Sequence, residues 1–542
     1  MLAFLFISCA TLVVRAFAFC SPPGPNLPPP TISATTPLIL NATFILPADT
    51  SWANSTTFVV RASVGSTSIF HYEQIHEAQN ATHSSPISDT KFRVASVTKL
   101  FTLLAILISP NKVEWNYPIG EYVPELRGGA WDAVTVGALA GHTSGLGKYG
   151  YVADLVFRPE VSSSLFGMTT SNATLPGCDI APGARICSRE EIIDEVKNPS
   201  YTPRSPGSGP LYSNFAFIPL GLALEKAYGK PYTDVIQELI IDPLKLKSTT
   251  FGDPLNGSAA ILPGPSDQWW TDDFGNYNAA GGLWSTPNDL MIFLRAILSS
   301  KLLSPTYTRA WLQPTSLTPS LHQLVGSPWE ILRPDTLNLT LPRPITLYAK
   351  SGEIPGYAAY AVVIPEYDLA LTINSAGNQA FTAVRDLLAS VVGIVVPWAD
   401  QLAREQAKKR YVGTYSDGRN SSLTIELDDG PGLLVKSFTN NGVDILKTLA
   451  SLNQISTAES SVRVFPTDPD SLGRTKEYWR LVVSREEKKK SFSGMACDSW
   501  ARQDGFRFNG QPLDQVGFIT KGGVATGVDL PGYKASLGMR MF

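Results

Sequence analysis

A chain of 542 residues exceeds what one hydrophobic core ordinarily supports, so two folded domains are the default reading. Lys and Arg total 44 against 47 for Asp and Glu, a net charge of −3 with no long block of one sign, which excludes the concentrated basic face a nucleic-acid partner requires. The five histidines show no metal-ligand spacing, so neither a metal nor another cofactor is expected.

Residues 1–18 read as a secretory signal, with an apolar run from Leu2 to Val14 and the small-residue pattern Ala16-Phe17-Ala18 before the cut. Arg15 leaves that run too short to span a bilayer, so delivery to the secretory lumen or beyond, without stable membrane insertion, is expected. Residues 19–34 are too rich in proline for helix or central strand and read as an arm extended over the surface. Removing the signal discards Cys9 and leaves Cys20, Cys178, Cys187 and Cys497, an even count that suits disulfides in an exported chain. Cys178 and Cys187 bracket a short loop with Pro and Gly that can close on itself, and Cys20 with Cys497 follows by elimination. Asn-x-Ser/Thr sites at Asn41, Asn54, Asn80, Asn172, Asn256, Asn338 and Asn420 fit a glycosylated eukaryotic secretory protein.

Thr57 to Tyr72, rich in Thr, Val, Phe and Ile around a Gly, predicts a β-hairpin. Ser-x-x-Lys then occurs three times, at Ser88, Ser96 and Ser109. Ser88 follows Pro86 in a polar stretch and Ser109 precedes Pro110, which suits a helix end. Only Ser96 opens an apolar run, Leu100 to Ile108, that would bury a helix. There Ser96 and Lys99 share one helix face, and a desolvated amine loses affinity for its proton and can take that of the serine. Helices are expected at Arg189 to Lys197 and Ile218 to Tyr228, and between them the run Thr202 to Pro210 demands a loop that delivers Tyr212. Strands are read at Ile345 to Ala349, Tyr357 to Ile364 and Leu369 to Ile373, with Ser351 and Gly352 small enough for a substrate to approach the backbone. Helical sequence from Ala380 to Ile394 follows, and residues 401–410 read as a linker. Residues 411–542 turn to short strands, among them Leu423 to Leu427, Tyr478 to Val483 and Phe506 to Phe508, punctuated by Asp429-Gly430, Asn441-Gly442 and Asn509-Gly510.

Ser96-x-x-Lys99, Tyr212-Ser213-Asn214 and Lys350-Ser351-Gly352 occur in this order, the last two once each in the chain. Together they resemble the serine β-lactamase and penicillin-binding protein superfamily, and the Tyr-x-Asn form is similar to its class C β-lactamases, D-Ala-D-Ala carboxypeptidases and related esterases. The stretch Val134 to Leu146, ending His142-Thr143-Ser144-Gly145-Leu146, and Ala279 to Leu290, with Gly281-Gly282 and Ser285-Thr286, carry the likeness further. The resemblance implies an α/β, β-lactamase/transpeptidase-like fold over residues 35–400: an antiparallel sheet flanked by helices, with the Lys-Ser-Gly strand near its edge, plus an all-helical half. The small all-β C-terminal domain resembles the barrels that sometimes follow this fold.

In that family Ser96 would attack an ester or amide carbonyl, Lys99 and Tyr212 would share the proton, Asn214 would orient Lys99, and Lys350 would stabilise the tyrosine. The backbone N–H groups of Ser96 and Glu353 would meet the oxyanion, and the Ser351 hydroxyl would bind a substrate carboxylate. Glu353 departs from expectation, since a carboxylate at the rim disfavours anionic substrates. The expected function is a secreted hydrolase of small esters or amides working through a Ser96 acyl-enzyme. An acyltransferase or tailoring hydrolase for a secreted natural product, and a binding or sensor module that has lost turnover, stay open.

Overall fold

The hairpin expected near the N-terminus forms from β1 (Thr56–Val64) and β2 (Thr67–Gln74), and β1 is buried on both faces except at Arg61. That burial follows from its place inside a sheet, where β-branched and aromatic side chains pack on either side. The computed structural model describes residues 23–33, 36, 50–76, 87–155, 166–168, 178, 185–252, 260–263, 273–485 and 499–540. Two compact units divide the chain: residues 31–337 with 344–398, and residues 399–542 with 338–343 and the stretch up to Pro30.

In the first unit the sheet continues through β3 (Ser316–Leu317), β4 (Gln323–Val325), β5 (Glu330–Leu332), β6 (Leu347–Ile354), β7 (Tyr357–Ile364) and β8 (Leu369–Gly377). The eight strands run antiparallel in the order β2-β1-β8-β7-β6-β5-β4-β3. The Lys-Ser-Gly strand β6 is therefore not the last strand of the sheet. Yet β5 pairs with it only from Leu347 to Ala349, with Glu330 opposite Ala349. From Lys350 onward β6 has a strand neighbour on the β7 side alone, among the described residues. An edge of this kind leaves strand donors available to a ligand.

The helical half is built around α1 (Thr98–Leu107), in which every residue from Thr98 to Ile106 is buried. Around it lie α2 (Arg189–Lys197), α3 (Phe217–Tyr228) and α4 (Pro287–Leu298). Local chemistry sets their ends. Ser188 and Glu191 form a reciprocal capping box at α2, Gly229 closes α3 in the left-handed region at φ 66°, and the Thr286 hydroxyl accepts the Asp289 N–H at the start of α4. Phe101 of α1 stacks on Phe293 of α4 with ring centroids 3.9 Å apart.

The linker expected at 401–410 is not a separate element. One helix, α5 (Ala380–Tyr411), runs for 32 residues with Pro397 inside it. Proline removes one helical hydrogen bond, but the apolar stripe Val391, Val392, Val395, Val396, Ala399 and Ala403 is buried across the site, and that burial outweighs the loss. By length and a mean hydropathy of 1.7 over its most apolar stretch, α5 is long and apolar enough to cross a membrane. Half of that apolar window is buried within the protein, and Asp386 in it accepts a hydrogen bond from Trp52 Nε1 at 2.9 Å.

The second unit is a closed β-barrel. Strands β9 (Gly413–Ser416), β10 (Ser422–Glu426), β11 (Leu433–Asn440), β12 (Ser460–Pro466), β13 (Lys476–Arg485), β14 (Gln515–Lys521), β15 (Val524–Leu530) and β16 (Ala535–Met539) pair in the order β10-β9-β16-β15-β14-β13-β12-β11, and β11 returns to β10. A helix, α6 (Ile445–Leu452), lies between β11 and β12. The proline-rich arm does not run over the surface at its centre: Asn26, Leu27, Pro28 and Pro30 are buried, and Leu27 joins Ala407, Tyr411, Tyr415, Trp479 and Phe518 in one apolar core. Proline presents no N–H, so such a segment enters a core with few backbone donors to satisfy.

Cys178 and Cys187 are disulfide-bonded. Asn54, Asn338 and Asn420 are exposed. The leader, Cys20, Cys497, Asn41, Asn80, Asn172 and Asn256 lie outside the described residues.

Candidate active site

A strained turn presents the serine. Ala95 has φ 44°, a left-handed conformation costly for a residue with a Cβ, and Thr98 Oγ1 braces it by donating to the Ala95 carbonyl at 2.6 Å while accepting the Leu283 N–H at 3.2 Å. The chain passes from this 3-10 turn, Ala95–Val97, straight into α1. Between residues 91 and 106 every side chain is buried except that of Ser96, which is half-buried.

One turn on, Lys99 is fully buried, with Nζ 3.0 Å from Ser96 Oγ, 2.6 Å from Asn214 Oδ1 and 2.7 Å from the Ala280 carbonyl. Burial, reinforced by the nearby charge of Lys350, holds its proton affinity well below that of an ordinary lysine. A neutral amine has two N–H bonds and one lone pair. Asn214 Oδ1 and the Ala280 carbonyl can only accept, so they take both N–H bonds and leave the lone pair facing the one partner with a proton to give, the Ser96 hydroxyl. The Ala280 carbonyl was not foreseen, since a backbone atom leaves no mark in a sequence.

Tyr212 lies on the irregular segment expected to deliver it, with Lys99 Nζ and Lys350 Nζ 5.3 and 5.1 Å from its ring centroid. Burial alone would lower Lys350, but the Glu330 carboxylate, with the nearby Tyr212 oxygen, more than offsets it, so this lysine holds its proton above the usual lysine range. Glu330 is the functional residue that sequence reasoning missed. Its carboxylate pairs with Lys350 Nζ and accepts the Ser351 N–H at 3.1 Å and the Ser351 hydroxyl at 2.7 Å. The only mark of it in the sequence is one acid inside the apolar run Trp329-Glu330-Ile331-Leu332. Ser351, expected to meet a substrate carboxylate, gives its hydroxyl to Glu330 instead.

Gly352 is small for a reason other than substrate access. A Cβ there would lie 2.1 Å from the Val94 carbonyl oxygen and 3.1 Å from the Ser96 nitrogen, so the missing side chain lets β6 abut the nucleophile turn. That contact sets the backbone of Ser96 beside β6 at Gly352, the residue before Glu353, and Ser96 and Glu353 are the two expected oxyanion donors. A cavity of about 590 Å³ opens in front of them, lined by Ser96, Tyr212, Asn214, Ser351 and Glu353, with Tyr149, Tyr357 and Phe381 as its aromatic walls and Lys148 at its edge. Glu353 is exposed; partial burial raises its proton affinity and Lys148 opposes the rise.

A serine hydroxyl beside a buried lysine of lowered proton affinity, next to a phenol between two lysines, defines a serine hydrolase of the β-lactamase and penicillin-binding protein-like superfamily. The Beta-lactamase family model matches residues 59–393, and the chain belongs to that family. A model described as "Beta-lactamase-like-like, C-terminal domain" matches residues 403–540. The chain is 32% identical over 481 residues to a beta-lactamase-like protein of Arthroderma benhamiae, covering 82% of this chain and 80% of that protein. It is 30% identical to the probable hydrolase M10 of a Phoma species, over 89% of this chain and 84% of the relative. Among solved structures, the octameric penicillin-binding protein homologue of Pyrococcus abyssi aligns at 18% identity with a TM-score of 0.49, over 90% of this chain and 96% of that one.

Proposed function

We propose that this chain is a secreted hydrolase that cleaves small esters or amides through an acyl-enzyme on Ser96. The observation that carries the reading is the placement of the buried Lys99 amine 3.0 Å from Ser96 Oγ, with Asn214 Oδ1 and the Ala280 carbonyl as its other two partners. Lys99 takes the Ser96 proton as Oγ attacks the carbonyl carbon, and the backbone N–H groups of Ser96 and Glu353 meet the oxyanion, each donor of this kind contributing about 3 kcal/mol in the transition state. The Tyr212 hydroxyl, held by Lys350, returns a proton to the departing alcohol or amine. Water, activated along the same path in reverse, releases the acid. The Cys178–Cys187 bond supports the secretory assignment, since such bonds persist in oxidising compartments.

The test is a panel of p-nitrophenyl esters and p-nitroanilides of short acids. Wild type should turn over members of the panel, and Ser96→Ala and Lys99→Met should each lose at least about a hundredfold in kcat. Turnover by Ser96→Ala at the wild-type rate would remove the acyl-enzyme from consideration.

A further inference from the structure

His142 takes no part in the proton path above, yet its geometry is unusual. It is buried, and its backbone lies in the left-handed region at φ 59°, which disfavours a residue with a Cβ. From there it holds both residues that flank Tyr212: its carbonyl accepts the Leu211 N–H at 2.8 Å and its Nδ1 accepts the Ser213 N–H at 3.2 Å. Between those two bonds its imidazole lies against the Tyr212 ring, centroids 4.6 Å apart and planes inclined by 37°, with Phe217 beyond it at 5.7 Å.

Because Nδ1 accepts, the ring proton sits on Nε2, and Nε2 is buried with no hydrogen-bond partner among the described residues. An unpaired buried donor is a cost that leucine or phenylalanine would avoid while filling the same space. Neither would accept from Ser213. Burial first, then the nearby amines of Lys99 when it carries a proton and of Lys350, lower the proton affinity of the imidazole well below the ordinary histidine range, which favours the form in which Nδ1 accepts.

We infer that His142 is a positioning residue for Tyr212, fixing the phenol where it protonates the leaving group. The inference rests on the acyl-enzyme reading. Its test compares an ethyl ester with the p-nitrophenyl ester of the same acid, because nitrophenolate departs without a proton and an alkoxide does not. His142→Leu removes the acceptor; His142→Asn puts a carbonyl oxygen where Nδ1 stands and tolerates positive φ. The Leu form should lose about 30-fold or more in kcat on the ethyl ester and much less on the nitrophenyl ester, with KM within about twofold of wild type. Asn should restore most of the loss, and in a Tyr212→Phe background the Leu change should cost nothing further. Equal losses on both esters, an Asn form as impaired as Leu, or a full loss in the Tyr212→Phe background would overturn the inference. If the Leu protein does not fold, His142→Gln, whose longer chain carries its oxygen away from the Ser213 N–H, is read by the same three criteria. Wild-type protein that hydrolyses neither ester and takes no label at Ser96 would overturn the acyl-enzyme reading and this inference with it. Wild-type turnover with indifferent His142 variants would overturn the inference alone.

Discussion

Two lysines stand about equally far from one phenol ring and are driven in opposite directions. Lys99 meets only neutral partners and gives up its proton readily; Lys350 meets the Glu330 carboxylate and keeps its own. The pH profile follows. Activity should rise as pH passes upward through the lowered Lys99 value and fall only where Lys350 discharges, above the ordinary lysine range. In Glu330→Gln burial is no longer offset, so Lys350 loses its proton at lower pH and the alkaline limb should move down. A raised lysine value adds stability that is complete below the unfolded value and is lost as pH climbs through the folded one. At neutral pH the change should therefore destabilise the first unit by about 2 to 3 kcal/mol, read from its urea transition, since it leaves a buried charge unpaired. An alkaline limb that stays in place would show that Glu330 does not set Lys350. The Glu353 effect is smaller than its sequence position suggests, because the side chain is exposed and Lys148 opposes it. Glu353→Gln should raise kcat/KM for an anionic ester over a matched neutral one only by about two- to fivefold. Gly352→Ala has no such latitude. Its Cβ would overlap the Val94 carbonyl, so loss of Ser96 labelling is expected even where the protein still folds.

Elements ruled by local chemistry were legible in the sequence. The hairpin of β1 and β2, the helix α2 behind its Ser188 cap and the tight turn at Asn509-Gly510, with φ of 47° and 77°, follow from periodicity and turn residues. The three motifs were legible too, because each is contiguous, and the structure brings them to one cavity. What stayed hidden depends on partners distant in the chain. Glu330 gains its meaning by pairing across from Ala349, Ala280 acts through a carbonyl, and α5 continues through Pro397 because of what its far half packs on. Leu27 is a further case: an isolated apolar residue among prolines reads as part of a surface arm until its core is seen. Leu27→Ala should cost the barrel unit about 2 to 3 kcal/mol, measured as a shift of its own unfolding transition. Reducing the Cys178–Cys187 bond should cost the first unit about 2 to 3 kcal/mol and leave the barrel transition unmoved.

At the scale of the whole molecule, the chain joins a catalytic unit of the Beta-lactamase family to a closed barrel whose core also takes in residues from near the N-terminus. Secreted material should begin at Phe19 and carry glycans on the exposed Asn54, Asn338 and Asn420, which peptide-N-glycosidase treatment in heavy-oxygen water would convert to labelled aspartate. All three asparagines unmodified in secreted protein would count against passage through a glycosylating compartment. The central claim, that Ser96 is the nucleophile and Lys99 its base, is tested most directly by intact-mass and peptide analysis after exposure to a fluorophosphonate. The account predicts one adduct, on the peptide that contains Ser96, absent from Ser96→Ala and formed at least about a hundredfold more slowly in Lys99→Met. A Ser96→Ala protein labelled at the wild-type rate, or an adduct that maps elsewhere, would contradict it.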